Sequence, residues 1–371
     1  MRILFATEAR ENVSTQLNAP NFAKLNELEG VSIDFYNRNY ADYDVVLFMG
    51  YDPCIAEARA AKPSLKIGVI DLRPSSVEKS LGADFVIANG VEMQDWLSDY
   101  FENIFIYPIY PLLDAPRKTH TTTKPIVIGY HGNKIHLMSI MPYVSAALNK
   151  LAESYDLELW VIYNVQGAGR MPFELCDSKN IKIRYIQWEE NVYKNILSQV
   201  GIGIVPNLIP IQEPLSAKRL IAPLSVLFNP HDSDLLLRFK CTTNPGRIYV
   251  FSQLGIPVVA GYSPSTAQTI QHGVSGYLAN SAGGWYRALK SLAGSAELRD
   301  QMGRALYEDF WRNVSPDILN QRLVNFIAGL PTLSEYPINY FASAEQKLVQ
   351  IAQSKSGWNT ISCYIKNLIN K

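Results

Sequence analysis

Cysteine is scarce in this chain. There are four in 371 residues (Cys54, Cys176, Cys241 and Cys363), far apart and without a CxxC pair. That spacing offers neither a disulfide framework nor a thiolate zinc site, and it suits reduced, mostly buried thiols in a cytoplasmic protein. An excess of one charge is also missing, since 34 Lys and Arg balance 34 Asp and Glu. No bulk attraction for nucleic acid follows, so any anion site must be local. The five histidines are scattered, and no pair has metal-ligand spacing, so no metal site is read. No run of about 18 apolar residues exists to cross a membrane. The opening MRILFATEAR is too short an apolar run for a signal peptide. What remains is globular in composition, with 47% hydrophobic and 18% charged residues. A chain of 371 residues exceeds one ordinary core and suits about two domains.

Short apolar runs alternate with helical patterns along most of the chain. Strands are expected over 2–7, 31–36, 44–49, 66–70, 84–88 and 104–107, with a polar loop over 8–16. The stretch 114–125, DAPRKTHTTTKP, breaks the rhythm with two prolines and a run of threonines, and it is the best linker candidate. A second series follows, with strands over 126–130, 157–163, 181–186 and 201–205 and later helices over 285–293 and 297–311. Strands alternating with helices predict parallel sheets covered on both faces, two Rossmann-like halves in all. The division expected is 1–118, 119–310 and a C-terminal 311–371 whose helices cross back to the first half. Ligands in such sheets sit beyond the carboxyl ends of the strands. Asp52, Asp71 and the loop after Tyr130 occupy such ends and would converge on a cleft.

The most informative stretch is 240–278, KCTTNPGRIYVFSQLGIPVVAGYSPSTAQTIQHGVSGYL. It reads as a loop, a short helix, a buried strand over 256–260, a second helix and a closing turn. Lys240 and Arg247 bracket Thr242, Thr243 and Asn244, just ahead of a helix start near Gly246. Two cations, short polar donors and a helix N-terminus suit a diphosphate. Gly132, Asn133 and Lys134 form a glycine turn after the 126–130 strand that would admit the same group.

This segment resembles the donor-binding segment of GT-B glycosyltransferases of the family-4-like group, with its "A-x-G-x-P-V-V-A…G…G" pattern. Residues 83–108 (ADFVIANGVEMQDWLSDYFENIFIYP), 128–134 (IGYHGNK) and 200–207 (VGIGIVPN) resemble further segments of that fold in the same order. The resemblance covers roughly residues 1 to 325. It implies an α/β, GT-B architecture: two Rossmann-like parallel-sheet domains facing across a cleft. It also implies a glycosyltransferase that uses a nucleotide-diphosphate sugar as donor substrate, with no cofactor and no metal. The acceptor would be a hydroxyl on a glycan, a lipid-linked or a protein-linked group. The expected donor-binding residues are Gly132, Asn133, Lys134, Lys240, Thr242, Thr243, Asn244 and Arg247. The expected catalytic residues are Asp71, Asp52 and His131.

The chain also departs from the pattern. The two glutamates usual in that group fall at Thr242 and Val250, and a third position is Gln268. A divergent subgroup uses Lys…Asn-x-x-Arg, which Lys240, Asn244 and Arg247 resemble. Each residue keeps an ordinary reading. Asn244 can open a turn with Pro245, Asp52 and Asp71 can cap helices, and His131 can be a satisfied loop histidine. The tetrapeptide His231-Asp232-Ser233-Asp234 contains an Asp-x-Asp that could hold a cation, although a helix N-cap is the simpler reading. Residues 208–239 read as an insertion at the cleft rim. Trp358, Ile361, Ile365, Leu368 and Ile369 fall at helical spacing. They form either a packed helix or a peripheral membrane contact. A non-catalytic nucleotide-sugar binder and a sugar epimerase of the same fold stay open beside the transferase.

Overall fold

The computed structural model describes residues 1–122, 124–140, 143–170, 175–176, 181–189, 192–207 and 242–331, without the side chains of 135, 138 and 139. Lys240, the 208–239 insertion with its Asp-x-Asp, and the apolar pattern beyond residue 357 lie outside the described residues.

The first lobe runs β1 (Arg2–Ala6), α1 (Val13–Ala23), β2 (Ser32–Phe35), β3 (Val45–Met49), α2 (Ile55–Ala61), β4 (Lys66–Ile70), α3 (Val77–Ser80), β5 (Phe85–Ala88), α4 (Val91–Leu97) and β6 (Ile104–Ile106). Its six strands are parallel in the order β2-β1-β3-β4-β5-β6. The register pairs Ile3 with Val45 and Val45 with Lys66. β3 is buried at all five positions, as a strand covered on both faces must be. α1 begins at Val13, inside the stretch read as a polar loop, because the Asn12 side chain accepts from Ser14 N and caps it there.

The second lobe runs β7 (Ile126–His131), α5 (Tyr143–Leu151), β8 (Leu157–Tyr163), α6 (Val165–Ala168), β9 (Ile181–Gln187), α7 (Tyr193–Leu197), β10 (Ile202–Val205), α8 (Gly246–Leu254), β11 (Val258–Ala260), α9 (Pro264–Thr269), β12 (Gly276–Leu278), α10 (Ala282–Gly294), α11 (Ala296–Asn313) and α12 (Pro316–Gly329). Its sheet is also parallel, in the order β12-β11-β10-β7-β8-β9. The strand order reverses between β1 and β3 in one lobe and between β7 and β10 in the other. In open α/β sheets such switch points are where ligands bind. β12 occupies part of what reads in sequence as a closing turn.

The segment between the sheets is not a loose tether. Gln253 on α8 accepts from Leu113 N at 2.7 Å and donates to the Pro111 carbonyl at 2.9 Å. Farther on, Lys118 N donates to the Leu254 carbonyl at 2.8 Å, and the His120 ring pairs with the Gly255 carbonyl at 2.9 Å. Arg117 bonds Asp300 on α11 at 3.1 Å. The threonine-rich stretch is thus laid along the second lobe, and Leu113 and Ala115 enter its apolar core.

α12 leaves the second lobe and covers one face of the first sheet. Leu319, Leu323 and Ile327 join the core of Ile3, Phe5, Leu47 and Phe85. Each such burial is worth about 1.5–3 kcal/mol. Asn320 lies fully buried in that contact; it accepts from the Tyr107 hydroxyl at 3.1 Å and donates to the Asn21 carbonyl at 2.8 Å. Among the described residues no helix is long and apolar enough to cross a membrane. Asn320→Ala strands both partners in the dry, so it should cost about 1–3 kcal/mol, read as a lower urea midpoint by circular dichroism. An unchanged midpoint would show that this polar clasp contributes nothing to the docking of α12.

Candidate functional site

On the second lobe the site grows from the end of β7. Gly132 follows that strand with φ +133°, a conformation natural to glycine, and a Cβ there would lie 3.0 Å from Arg247 Cδ. Arg247 stands in the first turn of α8, the helix that starts at Gly246. The His131 ring is buried and donates from Nε2 to the Arg247 carbonyl at 3.0 Å, tying that turn to the strand end. The ring also packs edge-on against Phe251 at 4.9 Å. The Arg247 guanidinium lies 5.9 Å from the Tyr130 ring centroid. Burial pushes the Tyr130 hydroxyl up to about 12, and Arg247 works against that shift. One guanidinium nitrogen, Nη1, is buried and has no partner. A half-buried arginine at a helix start, with Nη1 left over, is a site for a phosphate oxygen.

The other donor candidates fall around this centre. Asn244 does not extend its amide toward Arg247. Its Oδ1 accepts from Gly246 N and Ile109 N, each at 3.2 Å, and its Nδ2 donates to the Ile109 carbonyl at 2.7 Å. Gly246 is needed there, since a Cβ would sit 2.0 Å from the Ile109 oxygen. Thr242 is buried and Thr243 half-buried beside that clasp. The Thr243 carbonyl would lie 3.0 Å from a Cβ on Gly90 of the first lobe. Lys134 donates to the Ala168 carbonyl at 2.6 Å, away from the arginine. Asn133 is exposed, and its carbonyl accepts from the Tyr130 hydroxyl at 2.7 Å.

The first lobe faces this with the carboxyl ends of β3, β4 and β5. Asp71 follows β4 with φ 55°, unusual for a residue with a side chain, and its carboxylate is buried. Arg73 Nη2 donates to both its oxygens, at 2.9 and 3.0 Å, and Asn89 Nδ2 donates at 2.8 Å. Gly50 admits this turn, because a Cβ there would lie 2.9 Å from Leu72 Cα. Asp52 gathers the loop after β1: its Oδ2 accepts from Thr7 Oγ1 at 2.7 Å, Glu8 N at 2.8 Å and Ala9 N at 3.3 Å. Tyr51 sits beside both aspartates, and burial together with those charges raises its hydroxyl to about 12. Its hydroxyl bonds Thr15 on α1. Asp52 and Asp71 therefore follow the ends of two neighbouring strands, β3 and β4, while His131 lies on the opposite lobe as a buried tie.

Three further residues matter here that the sequence reading passed over: Asn89, Glu92 and Ser265. Glu92, in the first turn of α4, reaches across the cleft. Its carboxylate accepts from Ser265 N at 3.0 Å and from the Ser265 hydroxyl, at the first turn of α9. It is 4% exposed. Gly90 allows the approach, since a Cβ there would be 2.3 Å from Ser265 Oγ. In sequence each of these reads as an ordinary helix-start residue, and only the strand end before Asn89-Gly90 hints at a site.

No protein-family profile matches the chain, and no curated protein matches it in sequence. Solved structures do. HepE from Anabaena, in complex with UDP and glucose, superposes with a TM-score of 0.55 at 11% identity, over 89% of this chain and 100% of that one. A glycosyltransferase from Rickettsia africae gives 0.56 at 12% identity, over 89% and 98%. The lipopolysaccharide outer core galactosyltransferase WaaB, in its apo form, gives 0.51 at 12% identity, over 88% and 99%. The chain has the GT-B fold: two Rossmann-like parallel-sheet domains facing across a cleft.

Burial carries a testable pH signature. It lowers His131 to about 4, with the neighbouring Arg247 charge acting in the same direction, from an ordinary value near 6.5. Between those values the unfolded chain binds a proton that the folded chain refuses. Stability therefore falls as pH drops from about 6.5 toward 4, by up to about 3 kcal/mol from this group, and falls no further below that. His120, lowered to about 4 by its own burial, adds a second term of the same sign. His131→Gln should lose about half of this acid sensitivity in urea midpoints taken from pH 7 to 4.5. Equal slopes for variant and wild type would show that His131 accepts its proton in place.

Proposed function

We propose that this protein is a glycosyltransferase that moves a sugar from a nucleotide-diphosphate sugar to a hydroxyl acceptor. The observation that carries the reading is the buried, unpartnered Nη1 of Arg247, seated against Gly132 at the second lobe's switch point. The HepE structure contains UDP, which makes a nucleoside diphosphate the natural occupant to test here.

In this reading the bond from the anomeric carbon to the diphosphate breaks as the acceptor oxygen bonds that carbon. Negative charge builds on the departing diphosphate. Arg247, the α8 N-terminus and, outside the described residues, Lys240 would stabilise it, so the reading calls for no metal. The acceptor hydroxyl must lose its proton. Asp52 offers an oxygen free of donors, whereas Asp71 is occupied by Arg73 and Asn89. Thr243 stands at the rim beside Gly90, and Gly132, Asn133 and Lys134 form the turn under the diphosphate.

A second reading has one observation in its favour. Val250, where a ribose-binding glutamate is usual, is 1% exposed and packs in the core with Ile248 and Phe251. The ribose would need another holder, or the protein binds nucleotide sugars without turning them over. The product decides: a new glycoside, a sugar isomer, or neither.

UDP, GDP and ADP should be compared by thermal unfolding. Ligand at about 100 times its dissociation constant adds about 2.7 kcal/mol. One of the three should raise the melting temperature, and Arg247→Ala should abolish that rise. With the acceptor identified, the same variant should turn over at least tenfold more slowly, about 1.4 kcal/mol of barrier. A full shift retained by Arg247→Ala would remove the assigned pocket.

A further inference from the structure

Gly90 is a glycine without a local reason. It stands between β5 and α4 with φ −172° and ψ 177°, extended backbone that any residue adopts. What a side chain there would meet first belongs to the other lobe. A Cβ would stand 2.3 Å from Ser265 Oγ and 3.0 Å from the Thr243 carbonyl oxygen. The next atom, Glu92 Oε2 at 3.3 Å, is the end of a flexible side chain. Ser265 lies in the first turn of α9, and Thr243 precedes Asn244, whose amide holds Ile109. The absence of one methyl group therefore sets how closely the lobes approach here.

Glu92 uses that approach. Its carboxylate takes both of its bonds from Ser265, one from the backbone N–H and one from the hydroxyl. A small shift between the lobes breaks the two together. Parting returns the carboxylate and its donors to water, so the contact specifies a position more than it stabilises the fold. From Ser265 the contact runs on to the helix that carries Arg247. Thr269 Oγ1 donates to the Ser265 carbonyl at 2.8 Å. A hydroxyl has one hydrogen, so the Tyr249 hydroxyl, 3.3 Å away, must donate to Thr269. Tyr249 stands two residues after Arg247 on α8. Its ring packs on Tyr110 of the connection and Phe310 of α11, with centroids 5.4 and 5.8 Å away. α9 is itself held rigid by the capping box of Ser263 and Thr266.

We propose that Gly90, Glu92 and Ser265 form a pin that fixes the spacing of the lobes, with Glu92 a positioning residue for the helix that carries Arg247. Gly90 sets the distance and Glu92 the direction. Seated, the pin supports the α8 start from the first lobe by two routes. One is the Thr243 carbonyl against Gly90; the other runs through Ser265, Thr269 and Tyr249. Withdrawn, it leaves α8 without that support, and an anion at Arg247 loses part of its orientation. The pin stands on the geometry alone, whereas its effect on a nucleotide rests on the transferase reading above.

The direct readout is the amide hydrogen at position 265, which crosses between the lobes. Its exchange with deuterium is followed in the full chain by NMR. In parallel, whichever of UDP, GDP and ADP raises the melting temperature is titrated by calorimetry. Gly90→Ala adds one methyl group in a backbone conformation open to alanine. It should speed that exchange at least about tenfold and weaken the nucleotide at least about fivefold. Ser265→Ala removes the hydroxyl that the methyl group strikes. The double variant Gly90→Ala/Ser265→Ala should therefore match Ser265→Ala alone within about twofold in both readouts. Unchanged exchange in Gly90→Ala overturns the pin. A double variant no better than Gly90→Ala places the fault inside α4 and overturns it as well. Faster exchange with full nucleotide affinity removes Glu92 as a positioning residue. If Gly90→Ala does not fold, Glu92→Ala takes both acceptors from Ser265 and should weaken the nucleotide by the same factor; unchanged affinity there overturns the proposal. If no nucleotide binds the wild type, the transferase reading fails by itself, and the exchange data still decide whether the lobes are pinned.

Discussion

The clasp between Ile109 and Asn244 sets the geometry of everything around the cleft. One residue leaving the first lobe, Ile109, is held through its N–H and its carbonyl by both ends of one side-chain amide, just before the helix that carries Arg247. Gln253, farther along the same helix, repeats the arrangement on Leu113 and Pro111. Four hydrogen bonds from two residues make α8 part of the connection between lobes. A shift of that connection moves the helix N-terminus, and with it the guanidinium. The tie is close: Gly246 brings the backbone so near to Ile109 that no side chain fits between them.

Around that axis the two faces of the cleft are chemically opposite. The second lobe offers a cation held from behind by His131, Tyr130 and Gly132. The first places Asp52, Asp71 and Asn89 just after the ends of β3, β4 and β5. Glu92 bridges the faces at the rim, where its buried carboxylate meets the first turn of α9.

Much of the fold was legible because parallel strands covered on both faces must be apolar throughout. DVVLFM and LELWVIY have that character, and β3 and β8 lie within them. β12 escaped notice because three residues beginning with glycine carry no such run. The start of α1 escaped because a polar stretch hides a cap, and Asn12 supplies it. At the site, a glycine after a strand and an arginine at a helix start are what the sequence offers, and the fold sets Gly132 and Arg247 side by side. Asn244, read as a donor contact, has its amide on the chain crossing at Ile109. Glu92 and Ser265 stand 173 positions apart and give no local sign of meeting. Local chemistry is written in neighbours; the pairing of two lobes is not.

The packing of α12 has a consequence for the order in which the molecule is made. The first lobe is synthesised first, yet its core is finished by Leu319, Leu323 and Ile327. Asn320 reaches back 299 positions to Asn21, and Lys66 reaches forward 261 positions to the Ile327 carbonyl. A nascent chain therefore lacks the α12 part of that sheet's cover while the whole second lobe is translated, with only Phe22, Leu25 and their neighbours packed there. Until α12 emerges, the apolar side chains it covers stay open to water, which is the kind of surface that promotes aggregation.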